Sequence, residues 1–135
     1  MLRHVALLTL TILAGCAIKP PPEACAIGTR SLIADLFFGR SLRGGGTVSD
    51  ADWQDFLARE VTPRFPDGLT VLNGRGQWRS PGTDRVTSEP STVVIIIAQL
   101  DANTLQRLDA IRDAYRRRFQ QDSVGLVTHP VCAAF

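Results

Sequence analysis

Apolar residues along this chain gather into short dense runs separated by polar, glycine-rich connections. Ser31 to Phe38 (SLIADLFF) ends at Gly39, and Thr92 to Ala98 (TVVIIIA) is the most apolar stretch after the N-terminal leader. Both runs have the length and the β-branched or aromatic content of strands buried on both faces. A different period governs the segment after Val48. Ser49 is a good helix N-cap, Asp52 stands where it can reach back to it, and Val48 with Trp53 forms a hydrophobic staple. Trp53, Phe56, Leu57 and Val61 then share one helical face, and Pro63 ends the helix because the residue before a proline is pushed from helical geometry. A second helical stripe (Leu105, Leu108, Ile111, Tyr115, Phe119) follows Asn103 as cap, with Gln106 in support.

The remaining segments read as strands. Leu69 to Arg79 carries Gly74 and Gly76, which suit a bulge or kink; Asn73-Gly74 also signals a shorter hairpin. A Pro-Gly turn over Ser80 to Asp84 leads into a return strand from Arg85, which Pro90 breaks before the apolar run begins. Val124 to Val131, mixed in polarity and closed by Pro130, suits an edge strand. Strand, helix, strand, strand, helix, strand is the α+β, ferredoxin-like βαββαβ order: a four-stranded antiparallel sheet with two helices on one face. The first and third strands take the centre, and they are the two most apolar. Two helices cover one face, but Ile33 and Phe37 point opposite to Leu32 and Leu36, and Val94 with Ile96 opposes Val93, Ile95 and Ile97. Apolar residues on both faces need a second cover, so the pattern predicts a homodimer through the open sheet face.

The first residues carry a different message. Arg3, an apolar run from Val5 to Leu13, and Leu13-Ala14-Gly15-Cys16 form the layout of a secretory signal. The run is too short to span a bilayer, which takes about 20 apolar residues. Leu-Ala-Gly-Cys resembles the lipobox of bacterial lipoproteins, which implies lipidation of Cys16 after removal of residues 1–15; an ordinary signal with a chance cysteine is the alternative. Pro20-Pro21-Pro22 then forms a semi-rigid spacer that lifts the domain from the membrane. The chain thus divides into a signal peptide (1–15), a lipidated, proline-rich tether (16–29) and one domain (30–135). The localisation that follows is the periplasm-facing cell envelope; Ile18, which is not the aspartate that retains lipoproteins at the inner membrane, favours the outer one. With Cys16 lipidated, Cys25 and Cys132 remain for a disulfide in an oxidising compartment. The strand order brings them to one corner of the sheet, since the fourth strand runs antiparallel beside the first.

Charge excludes more than it suggests. A formal net charge of +2, with cations scattered among acids, is no nucleic-acid footprint. Arg116-Arg117-Arg118 sits where cations complement a helix C-terminus. Gly44-Gly45-Gly46 lacks the Gly-Lys-Ser/Thr continuation of a phosphate loop. Without a C-x-x-C, and with His129 the one histidine left after the leader, no metal or other cofactor is implied. His129, before Pro130, reads as a surface residue.

The segment Thr62 to Val71 (TPRFPDGLTV) and the stretch Gly74 to Arg79 (GRGQWR) resemble a family of small bacterial secreted proteins and lipoproteins built on a domain of unknown function, over roughly residues 31 to 131. That resemblance supports the domain limits and implies no chemistry. The same region concentrates Arg64, Asp67, Arg75, Gln77, Trp78, Arg79 and Glu89, a set able to bind a small anion or an aromatic ligand. Structural roles compete: an Arg64–Asp67 pair, an Asp67-Gly68 turn and Trp78 in the core. Asp67 and Glu89 could form an acid–base pair, although nothing in their spacing specifies one. The leading expectation is therefore a lipid-anchored envelope module binding a small ligand or an envelope protein partner. The alternative is a small cofactor-independent enzyme using the Arg64–Glu89 region.

Overall fold

The structure, a computed structural model, describes residues 24–80 and 82–135. The signal peptide, Cys16 and the proline tether lie outside the described residues. Strands β1 (Thr29–Gly39), β2 (Thr70–Arg79), β3 (Val86–Gln99) and β4 (Gly125–Ala133) form one sheet in the order β2-β3-β1-β4. Every neighbouring pair is antiparallel. Helices α1 (Asp50–Phe56) and α2 (Ala102–Phe119) complete the ferredoxin-like α+β architecture.

The central strands show why alternation fixes the layers. Leu32, Leu36 and Phe38 of β1, with Val94 and Ile96 of β3, are buried against the helices. Their neighbours Ile33, Asp35, Phe37, Val93, Ile95 and Ile97 turn to the other face. Phe38 is the hub of the covered side. It packs edge-on against Trp53, Phe56 and Tyr115 at centroid separations of 5.2, 5.9 and 4.8 Å, the arrangement that ring quadrupoles favour.

Helix α1 starts at the cap its sequence announces: the Ser49 side chain accepts from the Asp52 amide at 3.1 Å. Its end is different. Leu57–Val61 widens into a π-helical turn, with the Thr62 amide donating to the Leu57 carbonyl at 2.9 Å. The wider turn buries Leu57 and Val61 together with Trp53 and Phe56. Helix α2 begins earlier than Asn103. Asp101 is the cap, accepting from the Thr104 amide at 2.6 Å, and this bond holds the Asp101 carboxyl below the usual carboxylate range. The buried stripe is accordingly Thr104, Leu108, Ile111 and Tyr115. Leu105 lies roughly 90° from the centre of that stripe, at 100° per residue, and is exposed. At the far end of α2, Arg116 pairs with Asp113 and Arg118 with Asp55 of α1. Together with Arg59, Arg118 keeps the Asp55 carboxyl low. Part of the arginine cluster thus ties the helices together.

Three expectations for the strands are corrected. No bulge interrupts β2: its register with β3 runs unbroken from Thr70↔Ile95 to Arg79↔Val86, so Gly74 and Gly76 pair in step. Nor does Pro90 break the return strand. The carbonyl of Pro90 accepts from Arg40 at 2.9 Å, on the side where β1 is ending. In a strand, N–H and C=O of one residue share an edge, so the missing donor falls on the β1 side, where the Arg40 carbonyl accepts from Val48 at 2.8 Å instead, and the ladder to β2 survives. As a result β2 and β3 project beyond β1 as a two-stranded arm. Pro130 likewise lies inside β4 rather than at its end, opposite Leu32 on the edge strand. Cys25 and Cys132 are joined, with Cα atoms 5.6 Å apart, and pin the start of the domain to the last strand.

Candidate functional site

The seven residues of the Arg64–Glu89 region do not converge. Arg64 turns back to its own helix, donating to the Glu60 carbonyl at 2.6 Å and pairing with the Glu60 carboxylate at 2.9 Å, so the Arg64–Asp67 pair does not form. Asp67 is exposed at the opposite end of β2, beside a recess of about 410 Å³ shared with Ile95, Ile97 and Phe135. On the arm, strand alternation divides the rest. Arg75, Gln77 and Arg79 occupy one face; Arg75 donates to the Ser88 hydroxyl at 3.2 Å and Arg79 lies 3.6 Å from Asp84. Trp78 and Glu89 occupy the other face, and only these two of the seven line a common cleft. Trp78 is 42% exposed, a cleft wall rather than a core side chain. Asp67 cannot serve as an acid–base partner for Glu89: from Thr70 to Gly76, the residue opposite Glu89, the strand alone spans about 20 Å.

The cleft holds about 550 Å³ and has three walls. The arm supplies Trp78, Thr87 and Glu89. The end of β1 and its following loop supply Phe37, Gly39 and Ser41. The connection from α2 to β4 supplies Gln120 to Ser123, with Gly125 behind it. Glycines keep the floor low: a Cβ on Gly39 would stand 2.7 Å from Glu89 Oε1 and push the carboxylate aside, and one on Gly125 would stand 3.2 Å from Phe37 Cβ. Glu89 therefore lies directly over bare backbone. Its Oε2 accepts from the Ser41 amide at 3.3 Å, which orients the carboxylate along the cleft.

Beneath this floor Tyr115 donates from its hydroxyl to the Gly39 carbonyl at 2.9 Å. Burial pushes its phenol up to about 12, Arg40 works against that, and the nearby Glu89 carboxylate adds to it. Tyr115 is thus a fixed neutral donor that holds the strand end under Glu89. Gln121 performs the same service for the third wall, donating to the Ser41 carbonyl at 2.8 Å. Arg43 pairs with Asp122 across the mouth. Among the described residues no group of three histidine, cysteine or acidic side chains is placed to hold a metal ion. His129 is exposed on β4 opposite Ile33, four residues along the strand from the cleft residue Gly125.

The cleft residues outside the arm come from positions with no local chemical signature. Gly39 reads only as a strand end, and Gln120 to Ser123 as a helix terminus, where Gln120 adopts the left-handed conformation at φ 52°.

What this geometry can do is present a carboxylate acceptor beside a flat aromatic wall. Residues 33–135 match the family described as Protein of unknown function (DUF3574). The chain belongs to that family. No curated protein matches the chain. Among solved structures it is similar to a phage SAM lyase in complex with S-methyl-5'-thioadenosine, at TM-score 0.60 and 18% identity, covering 83% of this chain and 97% of that one. It is also similar to CutA from Synechococcus elongatus (TM-score 0.52, 13% identity, 80% and 83% covered). CutA1 from Oryza sativa gives TM-score 0.52 at 10% identity, with 78% and 84% covered. At these identities the likeness is one of fold.

Proposed function

We propose that this DUF3574 member is a lipid-anchored module of the bacterial cell envelope that binds a small ligand in the Glu89 cleft. The anchor is Cys16, as the Leu13-Ala14-Gly15-Cys16 sequence implies, and the domain faces the periplasm, from the outer membrane where there is one. The observation that carries the binding reading is the Glu89 carboxylate laid over Gly39, oriented by the Ser41 amide and facing a cleft with Trp78 in its wall. A carboxylate of this kind accepts from hydroxyl or amino groups, and the indole face takes a flat apolar body. The ligand class is therefore a small donor-bearing molecule with an aromatic or apolar part. S-methyl-5'-thioadenosine, found with the phage lyase of similar fold, combines these features and is the first probe to try.

A second reading has its own support. Asp122 is paired with Arg43, which leaves Glu89 as the carboxylate available for proton transfer in the cleft, as a cofactor-independent enzyme would need. One experiment serves both readings. The full-length protein in detergent is titrated calorimetrically with S-methyl-5'-thioadenosine and a panel of nucleosides and amino compounds, and the mixtures are analysed for products. Binding reading: saturable heat in the wild type, weakened at least about tenfold by Glu89→Gln, as expected for loss of a charge-assisted hydrogen bond, and unchanged by Asp67→Asn. Product formation that Glu89→Gln abolishes would establish the enzyme instead. Equal behaviour of wild type and both variants across the panel removes the cleft from consideration.

The proposal extends to self-association through the open sheet face. Phe37, Leu72 and Val127 are exposed there, beside the half-buried Ile33, Val93, Ile95 and Ile97. A single monomeric species in sedimentation at high concentration would remove this part.

A further inference from the structure

The exposed large apolar side chains are not spread evenly over the domain. Phe37, Leu72 and Val127 belong to the open face, and Trp78 and Val86 to the arm. The other four, Ile27, Leu100, Leu105 and Phe135, collect at the opposite end of the sheet. The register places them: Thr29 pairs with Ala133 and Ser31 with Gln99, so Ile27, Leu100 and Phe135 lie one or two residues beyond the last paired positions of three neighbouring strands. Leu105 is in the first turn of α2, which starts just after β3. Ile27 is 77% exposed and Phe135 fully so. Gly28 packs on the Ala133 backbone, where a Cβ would come within 2.0 Å of its carbonyl oxygen, so the two tails are held against each other.

We propose that this end of the domain rests on the membrane, with Ile27, Leu100 and Phe135 inserted among the lipid headgroups. The inference rests on the lipidation reading of Cys16. The tether argues for this occupant over any other. Seven residues lie between Cys16 and Ala24, so the eight steps reach at most about 29 Å when fully extended. The Cys25–Cys132 bridge then fixes that tether to the same corner that carries the apolar tips. Pro20-Pro21-Pro22 alone predicts a domain lifted from the membrane, and the proposal reverses that expectation: a spacer of this length limits how far the domain can stand off, and the surface nearest its tether is the apolar one.

Charge points to the kind of contact. Arg30 and Arg107 stand at this end together with Asp67 and Asp101, so cations and acids are mixed and there is no net cationic patch. The contact is therefore one of apolar insertion to a depth of about 5–10 Å, and it forms on uncharged lipid as well as on anionic lipid. No helix among the described residues is long and apolar enough to cross a membrane. The consequence of the contact is orientation: the Glu89 cleft, beyond the other end of β1, is turned away from the bilayer.

The test uses the full-length lipidated protein in phosphatidylcholine vesicles that include lipids brominated near the headgroup. Flotation is read first, then tryptophan emission for the wild type, Phe135→Trp and Val86→Trp. The expected result is flotation of all three, with the added emission at position 135 quenched about twofold or more, as interfacial insertion requires, and the added emission at 86 unquenched. Adding Ile27→Ser to Phe135→Trp should relieve the quenching. Flotation without quenching at 135, or with equal quenching at 86, overturns the docking while leaving the anchor intact. Failure to float removes the Cys16 reading and the docking with it. Protection of position 135 by a cross-linked second copy, without quenching, assigns this end to self-association and also overturns the proposal.

Discussion

Phe37 and Phe38 are adjacent, chemically identical and placed at the same height of the same strand, yet the sheet separates their fates. Phe38 is fully buried among the rings of Trp53, Phe56 and Tyr115; Phe37 is 42% exposed beside the cleft. Apart from Asp35, the two faces of β1 differ in what covers them more than in composition. Helices seal one face, and the other keeps an apolar surface open. Truncating each ring measures this difference directly. Phe38→Ala should cost about 3–5 kcal/mol, the transfer energy of a buried ring plus the cavity left behind. Phe37→Ala should cost about 1 kcal/mol or less, because half-solvated rings lose little on truncation. Urea denaturation of both variants, alongside the wild type, checks the contrast; equal losses would mean that the open face is already covered.

The covered face holds one titratable exception, and it yields the next largest effect. Tyr115 is buried with its hydroxyl on the Gly39 carbonyl, and removing that hydroxyl by Tyr115→Phe should cost about 1 kcal/mol at neutral pH. Its pH signature is more specific. The folded phenol is pushed up to about 12, chiefly by burial, whereas an unfolded tyrosine titrates near 10. Folding thus favours the protonated form. The contribution is fully present below about pH 10 and is lost as pH rises through about 12. Tyr115 is the single tyrosine, and the described residues include no lysine, so little else titrates in that window. Thermal melts from pH 9 to 12 should show a decline in the wild type that Tyr115→Phe flattens.

How much of this could be read from the sequence depended on how local each cause is. The cap at Ser49 was legible because Ser49, Asp52, Val48 and Trp53 interact within one turn. The cap of α2 was misplaced because Asp101 and Asn103 are equally good caps, and the choice between them is made where β3 ends. Pro90 reads as a break from sequence alone, because its missing N–H is plain there and the edge that N–H would face is not. The site shows the sharpest division. Grouping Arg64 through Glu89 by nearness in sequence ignored the two-residue period of the arm, which sends Trp78 and Glu89 to one side and Arg75, Gln77 and Arg79 to the other. That much was recoverable from alternation alone. The third wall was not. Gln121 reaches Ser41 across 80 positions of chain, and no local pattern signals that meeting.

The open face has an exception of its own, and it bears on the smallest predicted effect. Asp35 sits in the middle of that face, opposite Ile95 on one side and Val127 on the other. Two copies meeting there on a twofold axis near the centre of the face would bring their Asp35 carboxylates together. Like charges drawn into a half-desolvated interface oppose it, and each must also give up water. Such a dimer would be weak, or offset so that each carboxylate meets solvent at the rim. Asp35→Asn removes the repulsion and keeps the shape. It should tighten self-association about three- to tenfold, equivalent to roughly 1 kcal/mol, while leaving the denaturation midpoint of the monomer nearly unchanged. Sedimentation equilibrium across a range of concentrations reads the constant directly. An unchanged constant would place the carboxylates outside the contact, and weaker association would mean that Asp35 meets a cation on the other copy. Phe38 can be explained wholly from within the chain. Asp35 lies on the face that the helices leave open, and the self-association constant is where its charge would be felt.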